Sequence, residues 1–223
     1  EYIYAQVRKS DGTYRFTKDS TLTYNNAEAE EAGVIHPSAD VKIDASDHVL
    51  SVVTNTDNDG NAAAVRNSGR SLDIKAGTLR LQTNADDENY LAYAWGIRNE
   101  SGTTTVSGMT EIEVAGTERS KAVQAYGGTV TLEGLHAKVN AASQDAATLD
   151  VQGNGRINLN IKDGTVGSSE VMLDGNIVSR ESGSRVDAAL TTGTSYLKGL
   201  ISGVGTLNLW LQNGAAWHNE EYM

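Results

Sequence analysis

The strongest constraint on the fold is an internal repeat between Lys121 and Asn160. Residues 122–125 recur in pattern as residues 148–151, and residues 129–132 recur as residues 156–159. The matching segments are 26 or 27 positions apart, and a glycine turn follows the first segment of each copy. A repeat of this length, made of short alternating segments without a helical pattern, is typical of a solenoid that winds around one axis.

Other parts of the chain continue the pattern, with three short strands in each coil of about 26 residues. Apolar residues alternate with polar ones in every strand, which places one set of side chains inside and the other outside. We therefore predict an all-β fold, a right-handed, three-sided parallel β-helix over residues 39–223. The predicted first strands are centred on Val65, Ile97, Val123 and Leu149, the second on Leu72, Thr104, Val130 and Ile157, and the third are residues 79–81, 112–114 and 137–139.

Residues 1–38 differ from the repeat and are rich in aromatic residues. Alternating segments at Tyr2–Val7 and Thr13–Thr17 flank Asp11-Gly12, a pair that favours a β-hairpin turn. A solenoid needs its first rung covered, because an unpaired strand edge recruits other chains. The sequence thus predicts an N-terminal hairpin cap with the first rung starting at Ala39; an aromatic binding surface is the alternative.

Composition limits the classes of partner. The net charge of −11 argues against nucleic acid and against direct insertion into anionic membranes. The chain has 23 glycines but only one proline, which suits continuous strands because proline cannot donate a backbone hydrogen bond. No apolar run is long enough to span a bilayer. Cysteine is absent and the four histidines are far apart, so we expect neither a metal nor a cofactor. The chain is expected to be a mature or excised piece of a longer protein.

One coil is longer than the repeat predicts. Ile97 follows Val65 by 32 positions, six more than the 26 of the next two steps. Insertions in a solenoid leave the core as loops, often on the binding face. Carboxylates and aromatic rings are suited to a sugar or a basic peptide, whereas aromatics packed down on the rod are the alternative. The candidate ligand-binding residues are Asp86, Asp87, Glu88, Asn89, Tyr90, Tyr93 and Trp95.

Two ladders of stacked side chains are expected to fix the register. The predicted third strands place Arg80, Glu113 and Lys138 on neighbouring rungs, where alternating charge adds a little stability. Asn67 and Asn99 are expected to stack at a turn and to pair their amide groups.

The segment Asn213-Gly214-Ala215-Ala216-Trp217, together with the coils before it, resembles the passenger domains of bacterial autotransporters. The similarity is to the pertactin-like and AIDA-like adhesin class and covers roughly residues 40–217. It implies a secreted rod at the surface of a Gram-negative cell, tethered through a C-terminal outer-membrane barrel that this sequence lacks. The Gly-Asp-Ser-Gly motif of protease members is also absent.

We therefore predict an adhesin fragment that binds a host or bacterial surface protein or glycan, and that contributes to self-association, biofilm formation and virulence. The alternative is a polysaccharide-processing β-helix, a lyase, a glycosidase or a tailspike-like protein, because such enzymes also use carboxylates on an outer strand face. The sequence predicts that Asp73 stacks on Thr105 and Thr131 and that no acid pair occupies neighbouring rungs. The candidate carboxylates are Asp73, Glu111, Glu113, Glu133 and Asp150.

Overall fold

The computed structural model is an all-β solenoid in which parallel strands stack into a β-helix. It describes residues 8–9, 12–26, 32–56, 61–85, 93–115, 119–140 and 145–221. The strands are β1 (Arg8–Lys9), β2 (Thr13–Arg15), β3 (Ser20–Asn26), β4 (Ala32–Ile35), β5 (Val41–Thr56), β6 (Ala62–Ala85), β7 (Tyr93–Ala115), β8 (Arg119–Ala125), β9 (Thr129–Asn140), β10 (Ala147–Val151), β11 (Arg156–Leu159), β12 (Ile161–Lys162), β13 (Thr165–Val166), β14 (Val171–Asp174), β15 (Asn176–Ser179), β16 (Arg185–Leu190), β17 (Tyr196–Lys198), β18 (Ile201–Ser202), β19 (Thr206–Leu211) and β20 (Ala216–His218).

The strands form three faces, because the long strands β5, β6, β7 and β9 bend around corners and contribute to more than one face. Face A contains β2, residues 41–45, 72–76, 103–107 and 129–132, then β11, β16 and β19. Face B contains β3, residues 49–56, 78–85, 109–115 and 134–140, then β14, β17 and β20. Face C contains β4, residues 62–67 and 93–99, then β8, β10, β15 and β18.

The core is a set of apolar ladders that run along the axis. On face C the register joins Val65, Ile97, Val123 and Leu149, all fully buried, as the repeat predicts. The second predicted ladder, through Leu72, Thr104, Val130 and Ile157 on face A, is also confirmed. A slip of one residue would turn every apolar side chain outward, so the alternation excludes odd slips in these ladders.

Corners between faces C and A depend on glycine. Gly128 has a φ of 65°, in the left-handed region that favours glycine. A Cβ at Gly128 would collide with the carbonyl oxygen of Gly102 on the neighbouring rung. The predicted glycine turns therefore allow successive coils to stack at the spacing of a β-sheet, about 4.8 Å.

The N-terminal region combines a hairpin with an early coil. Strand β1 pairs antiparallel with β2 across Gly12, whose φ is 80°. Strand β2 also pairs in parallel with β5, and β3 and β4 pair in parallel with β5 and β6. The parallel coils thus begin at Thr13, earlier in the chain than the expected start at Ala39, and the hairpin shares a strand with the first rung.

Candidate functional site

The residues predicted to form a binding loop are only partly described. Residues 86–90, which carry the carboxylates, Asn89 and Tyr90, lie outside the described residues. The Tyr93 and Trp95 rings stack with centroids 5.4 Å apart and planes at 7°, and the Arg98 guanidinium lies 4.3 Å from the Trp95 ring centroid. Trp95 is only 4% exposed. Its ring is packed on the rod, as in the alternative interpretation, while a binding role for the rest of the loop remains a prediction.

Trp95 is part of a buried polar network on the outer side of face C. Its Nε1 donates to Oε1 of Gln124 at 2.7 Å, and Nε2 of Gln124 donates to Oδ1 of Asp150 at 3.1 Å. Arg180 binds the same carboxylate through Nε at 2.9 Å and Nη2 at 2.5 Å, and Nζ of Lys121 lies 3.6 Å from it. We call these five residues the closed cluster, because Asp150 is fully buried and Lys121 is 2% exposed.

The charge of Lys121 is unfavourable inside the closed cluster. Burial lowers the pKa of Lys121, and the attraction of Asp150, which acts in the opposite direction, does not restore it. The network joins neighbouring rungs of face C, and Asp150 at its centre is fully buried. The closed cluster therefore serves the fold.

The predicted charge ladder on face B is wrong by two positions at one rung. Arg80 pairs with Glu111, its Nε donating to Oε2 at 2.9 Å, whereas Glu113 pairs with Lys138 as expected. The register joins Gln82, not Arg80, to Glu113. Two short ladders of opposite charge replace the single one.

The asparagine ladder is present but bonds differently. Asn67 and Asn99 are register partners and fully buried. Each Nδ2 donates to turn carbonyl oxygens, from Asn67 to Arg70 at 2.8 Å and from Asn99 to Gly127 at 2.8 Å. The amides therefore close the corner rather than pair with each other. A true amide ladder, which the sequence reading missed, joins Asn25, Asn55 and Asn84 through bonds of 2.7 and 2.8 Å.

Most of the carboxylates considered for catalysis are engaged by other protein groups. Glu133 accepts the Gly108 amide at 2.9 Å, Glu113 accepts Nδ2 of Asn140 at 2.7 Å, and Glu111 and Asp150 are bound by arginines. Asp73 aligns with Thr105, which aligns with Thr131, as predicted. Among the described residues, no two of the five candidates are register partners on neighbouring rungs.

The largest departure from the repeat lies elsewhere, at the corner between faces A and B. Leu173 lies 36 positions after its register partner Ala137, whereas the other steps on face B are 20 to 31 positions. The extra residues contain the antiparallel hairpin of β12 and β13. Its turn is Asp163-Gly164, with φ values of 50° and 77°, the left-handed pair that a two-residue hairpin requires.

Asn160 anchors this hairpin to the rod. It is buried and has a left-handed φ of 55°. Its Nδ2 donates to the carbonyl oxygen of Ala189 at 3.0 Å and to Oγ1 of Thr191 at 3.1 Å, while its Oδ1 accepts the Ser169 amide at 3.1 Å. These bonds fix where the chain leaves and rejoins the coil, so the hairpin has a defined position over face A.

The hairpin and face A enclose a cavity of about 560 Å³, which we call the hairpin groove. This volume is within the range of small-molecule binding sites, roughly 300–1,000 Å³. Three cations and two carboxylates line it, a local excess of positive charge in a chain whose net charge is −11. The lining residues are Thr105, Thr131, Arg156, Asn158, Ile161, Lys162, Asp163, Gly164, Val166, Arg185, Asp187 and Trp210.

Two arginines on neighbouring rungs share one carboxylate in the groove. Arg185 donates to Asp187 through Nε at 2.7 Å and Nη2 at 3.2 Å, and Arg156 donates through Nη2 at 3.1 Å. Partial burial opposes ionisation of Asp187, but hydrogen bonds from Arg185, Asn208 and Arg156 outweigh it and lower the pKa of that carboxyl. Asp187 stays ionised and holds both guanidinium groups in place.

The sequence prediction does not include this site, because a coil length of 26 residues is too short for the N-terminal coils. The step from Ile35 to Val65 is already 30 positions, so the 32 from Val65 to Ile97 is not unusual. The signal that could have found the groove is Asp163-Gly164 flanked by Ile161-Lys162 and Thr165-Val166, a hairpin pattern inside a coil.

The described residues outside the groove form neither a metal site nor a membrane-spanning helix. The described residues contain no group of three or more histidine, cysteine or acidic side chains placed to hold a metal ion, and His136 contacts Glu170 at 2.7 Å. None of the described residues belongs to a helix that is long and apolar enough to cross a membrane. The chain matched no family model, no curated protein and no solved structure.

Proposed function

We propose that this chain is part of a bacterial surface adhesin, a β-helical rod that binds a surface ligand without transforming it. The hairpin groove carries the proposal, because it is a preformed, charged cavity on the side of a rigid scaffold. Binding residues are typically held on loops that a rigid scaffold positions, and the Asn160 contacts position this hairpin.

The resemblance of residues 213–217 to autotransporter passengers supports an extracellular location on a Gram-negative cell. In that setting the partners are host or bacterial surface proteins or glycans, or a second copy of the rod during biofilm formation. The engagement of Glu111, Glu113 and Glu133 by neighbouring groups favours binding over catalysis, since a general acid or base needs a free proton-transfer atom within reach of substrate.

Adhesion of protein-coated beads tests the proposal. The chain is coupled to beads, which are counted on epithelial monolayers, on lawns of Gram-negative bacteria and on beads coated with the same chain. We expect retention on at least one surface well above albumin-coated beads. Beads retained on none of the three surfaces contradict an adhesive role.

The enzymatic alternative is examined in parallel on soluble acidic polysaccharides. New reducing ends and the ultraviolet absorbance of unsaturated products are followed during prolonged incubation with the chain. We expect neither signal to rise above a protein-free control. Catalytic turnover of any polysaccharide, lost in Glu111→Gln or Glu113→Gln, establishes the polysaccharide-processing function instead.

A further inference from the structure

The hairpin groove has a shape that suits an extended ligand. Its floor follows one outward-facing row of face A, in which Thr105, Thr131, Asn158 and Asp187 are successive register partners. Trp210 lines the groove on the next rung, in β19. The row continues at Asn208, and Trp210 lies two positions further along the same strand. Rungs are about 4.8 Å apart, so the five rungs from Thr105 to β19 span roughly 19 Å along the axis. A linear chain, rather than one compact molecule, matches this length.

The floor is polar and the far end is aromatic. Hydroxyl and amide groups at Thr105, Thr131 and Asn158 both donate and accept hydrogen bonds, as the hydroxyl groups of a sugar do. The half-buried Trp210 offers a rigid ring with a polar edge, the usual platform for the apolar face of a sugar. This combination favours a saccharide over an apolar ligand.

The charge of the groove adds a second requirement. The hydrogen bonds to Asp187 and Asn158 use Nε and Nη2 of each guanidinium, and no hydrogen bond between described residues uses Nη1 of Arg156 or Arg185. Both side chains are nearly half exposed, at 45% and 44%. Their free donors sit on neighbouring rungs, a spacing that suits two anionic groups along one chain, and arginine binds carboxylate and sulfate oxygens through paired donors.

The hairpin supplies a third positive charge. Lys162 is exposed and lines the groove from the hairpin, whereas the two arginines line it from face A. An anionic ligand between the hairpin and face A is therefore flanked by cations on two sides. The chain otherwise repels such ligands, with its net charge of −11, so attraction is local to this groove.

We infer that the hairpin groove binds an acidic oligosaccharide, with its anionic groups on Arg156, Arg185 and Lys162 and a sugar ring on Trp210. The inference rests on the proposed adhesive function of the rod. Carboxylated and sulfated sugars share the chemistry that the groove recognises. Separate carboxylated and sulfated probes distinguish these two kinds of ligand.

Binding of defined polymers to the whole chain tests this inference by isothermal titration calorimetry. The probes are oligogalacturonate for carboxylate, dextran sulfate for sulfate, unmodified dextran for neutral sugar and polyglutamate for carboxylate without sugar. We expect at least one acidic saccharide to bind at least about tenfold more tightly than dextran and polyglutamate. Binding of dextran with equal affinity, stronger binding of polyglutamate, or binding of neither acidic saccharide overturns the inference.

Variants assign that binding to the groove. The double variant Arg156→Gln/Arg185→Gln is expected to lower affinity for the acidic saccharide more than tenfold, because two charged hydrogen-bonding groups are lost. Trp210→Ala is expected to lower it roughly threefold to tenfold. Arg80→Gln on face B is the matched control and is expected to leave affinity unchanged. Unaltered affinity in the double variant contradicts the assignment.

One further variant covers the risk that the double variant unfolds. Lys162→Gln changes an exposed side chain outside the Asp187 contacts, so it leaves the fold intact and is expected to weaken binding about threefold. Thermal melting verifies folding for each variant, and unchanged affinity in a folded Lys162→Gln counts against the groove. If double-variant beads adhere as well as wild-type beads, the adhesive function is retained and the groove is rejected as the binding site. If wild-type beads do not adhere, the proposed function itself is rejected.

Discussion

The molecule contains two clusters in which arginine binds a buried aspartate, one on face C around Asp150 and one on face A around Asp187. In the closed cluster the cations Lys121 and Arg180 lie close to two carboxylates, Asp150 and Asp145, so the charges balance. In the hairpin groove three cations meet two carboxylates, and the arginine side chains face a cavity. The same residue chemistry thus gives a neutral, buried contact on one face and a charged, open surface on the other.

This difference separates stability from recognition. Asp150 is buried together with Lys121 and Gln124, and its arginine, Arg180, is 30% exposed. Asp187 is also buried, but it orients two arginines that are nearly half exposed and line a cavity. Substitutions in the closed cluster should therefore change unfolding more than binding. Substitutions in the groove should change binding more than unfolding.

The largest effect is expected from Asp150→Asn. Among the described residues, Asp150 is the carboxylate that both Arg180 and Lys121 contact directly, and asparagine retains the shape of the side chain without its charge. Breaking a buried ion pair in this way costs about 3–5 kcal/mol, and loss of the Lys121 proton should keep the cost near the lower end. Urea unfolding followed by circular dichroism measures it. Asp163→Asn, in an exposed turn that accepts asparagine equally well, is the control.

A value below about 1 kcal/mol for Asp150→Asn would mean that the closed cluster is not what joins these rungs. The closed cluster would then not differ from the hairpin groove by a larger contribution to stability. Affinity of the folded variant for the acidic saccharide is expected to equal that of the wild type, since Asp150 lies on another face of the rod.

An intermediate effect is expected from Asp187→Asn, about 1–3 kcal/mol at neutral pH, because bonds from two arginines to a charged acceptor are weakened. The pKa of Asp187 lies below its ordinary value of 3.8, so the unfolded chain binds a proton more readily than the folded one. Its contribution is complete above that value and is lost as pH falls through the lowered pKa. Melting temperatures at pH 7 and pH 3 should therefore converge between variant and wild type at the lower pH.

A stability difference that grows on acidification would contradict this account of Asp187. The same variant is expected to weaken binding of the acidic saccharide, because Arg156 and Arg185 lose the charged acceptor that orients them. This dual effect is what distinguishes a buried carboxylate beneath an open groove from Asp150.

The sequence predicted the rod better than the site, and the reason is the geometry of a strand. Apolar alternation specifies which face a residue occupies, so the ladders through Val65 and Leu72 were predicted correctly. A slip of two positions keeps the same face, and Leu79 and Leu81 are both apolar, so the pattern could not tell whether Arg80 meets Glu111 or Glu113. The groove depends on how a hairpin folds over face A, which Asn160 decides through contacts with residues about 30 positions away.

The smallest effect is expected from Lys121→Met, and its sign is the opposite of the other two. A charged amine at this position carries the cost of burial in the folded state, which a methionine of similar length avoids. The free energy of unfolding should therefore rise by no more than about 1 kcal/mol.

The pH dependence of this difference follows from the pKa of Lys121, which in the folded chain lies below its ordinary value of 10.5. Between these two pKa values the unfolded chain binds more protons than the folded chain, so the stability of the wild type increases as pH rises through that range. The advantage of the variant should shrink from pH 7 towards pH 10 in urea unfolding, while Lys138→Met on exposed face B shows no such trend. If the advantage of the variant instead widens with pH, the folded pKa of Lys121 is not lowered. The ion pair with Asp150 would then fully compensate the burial of the Lys121 charge.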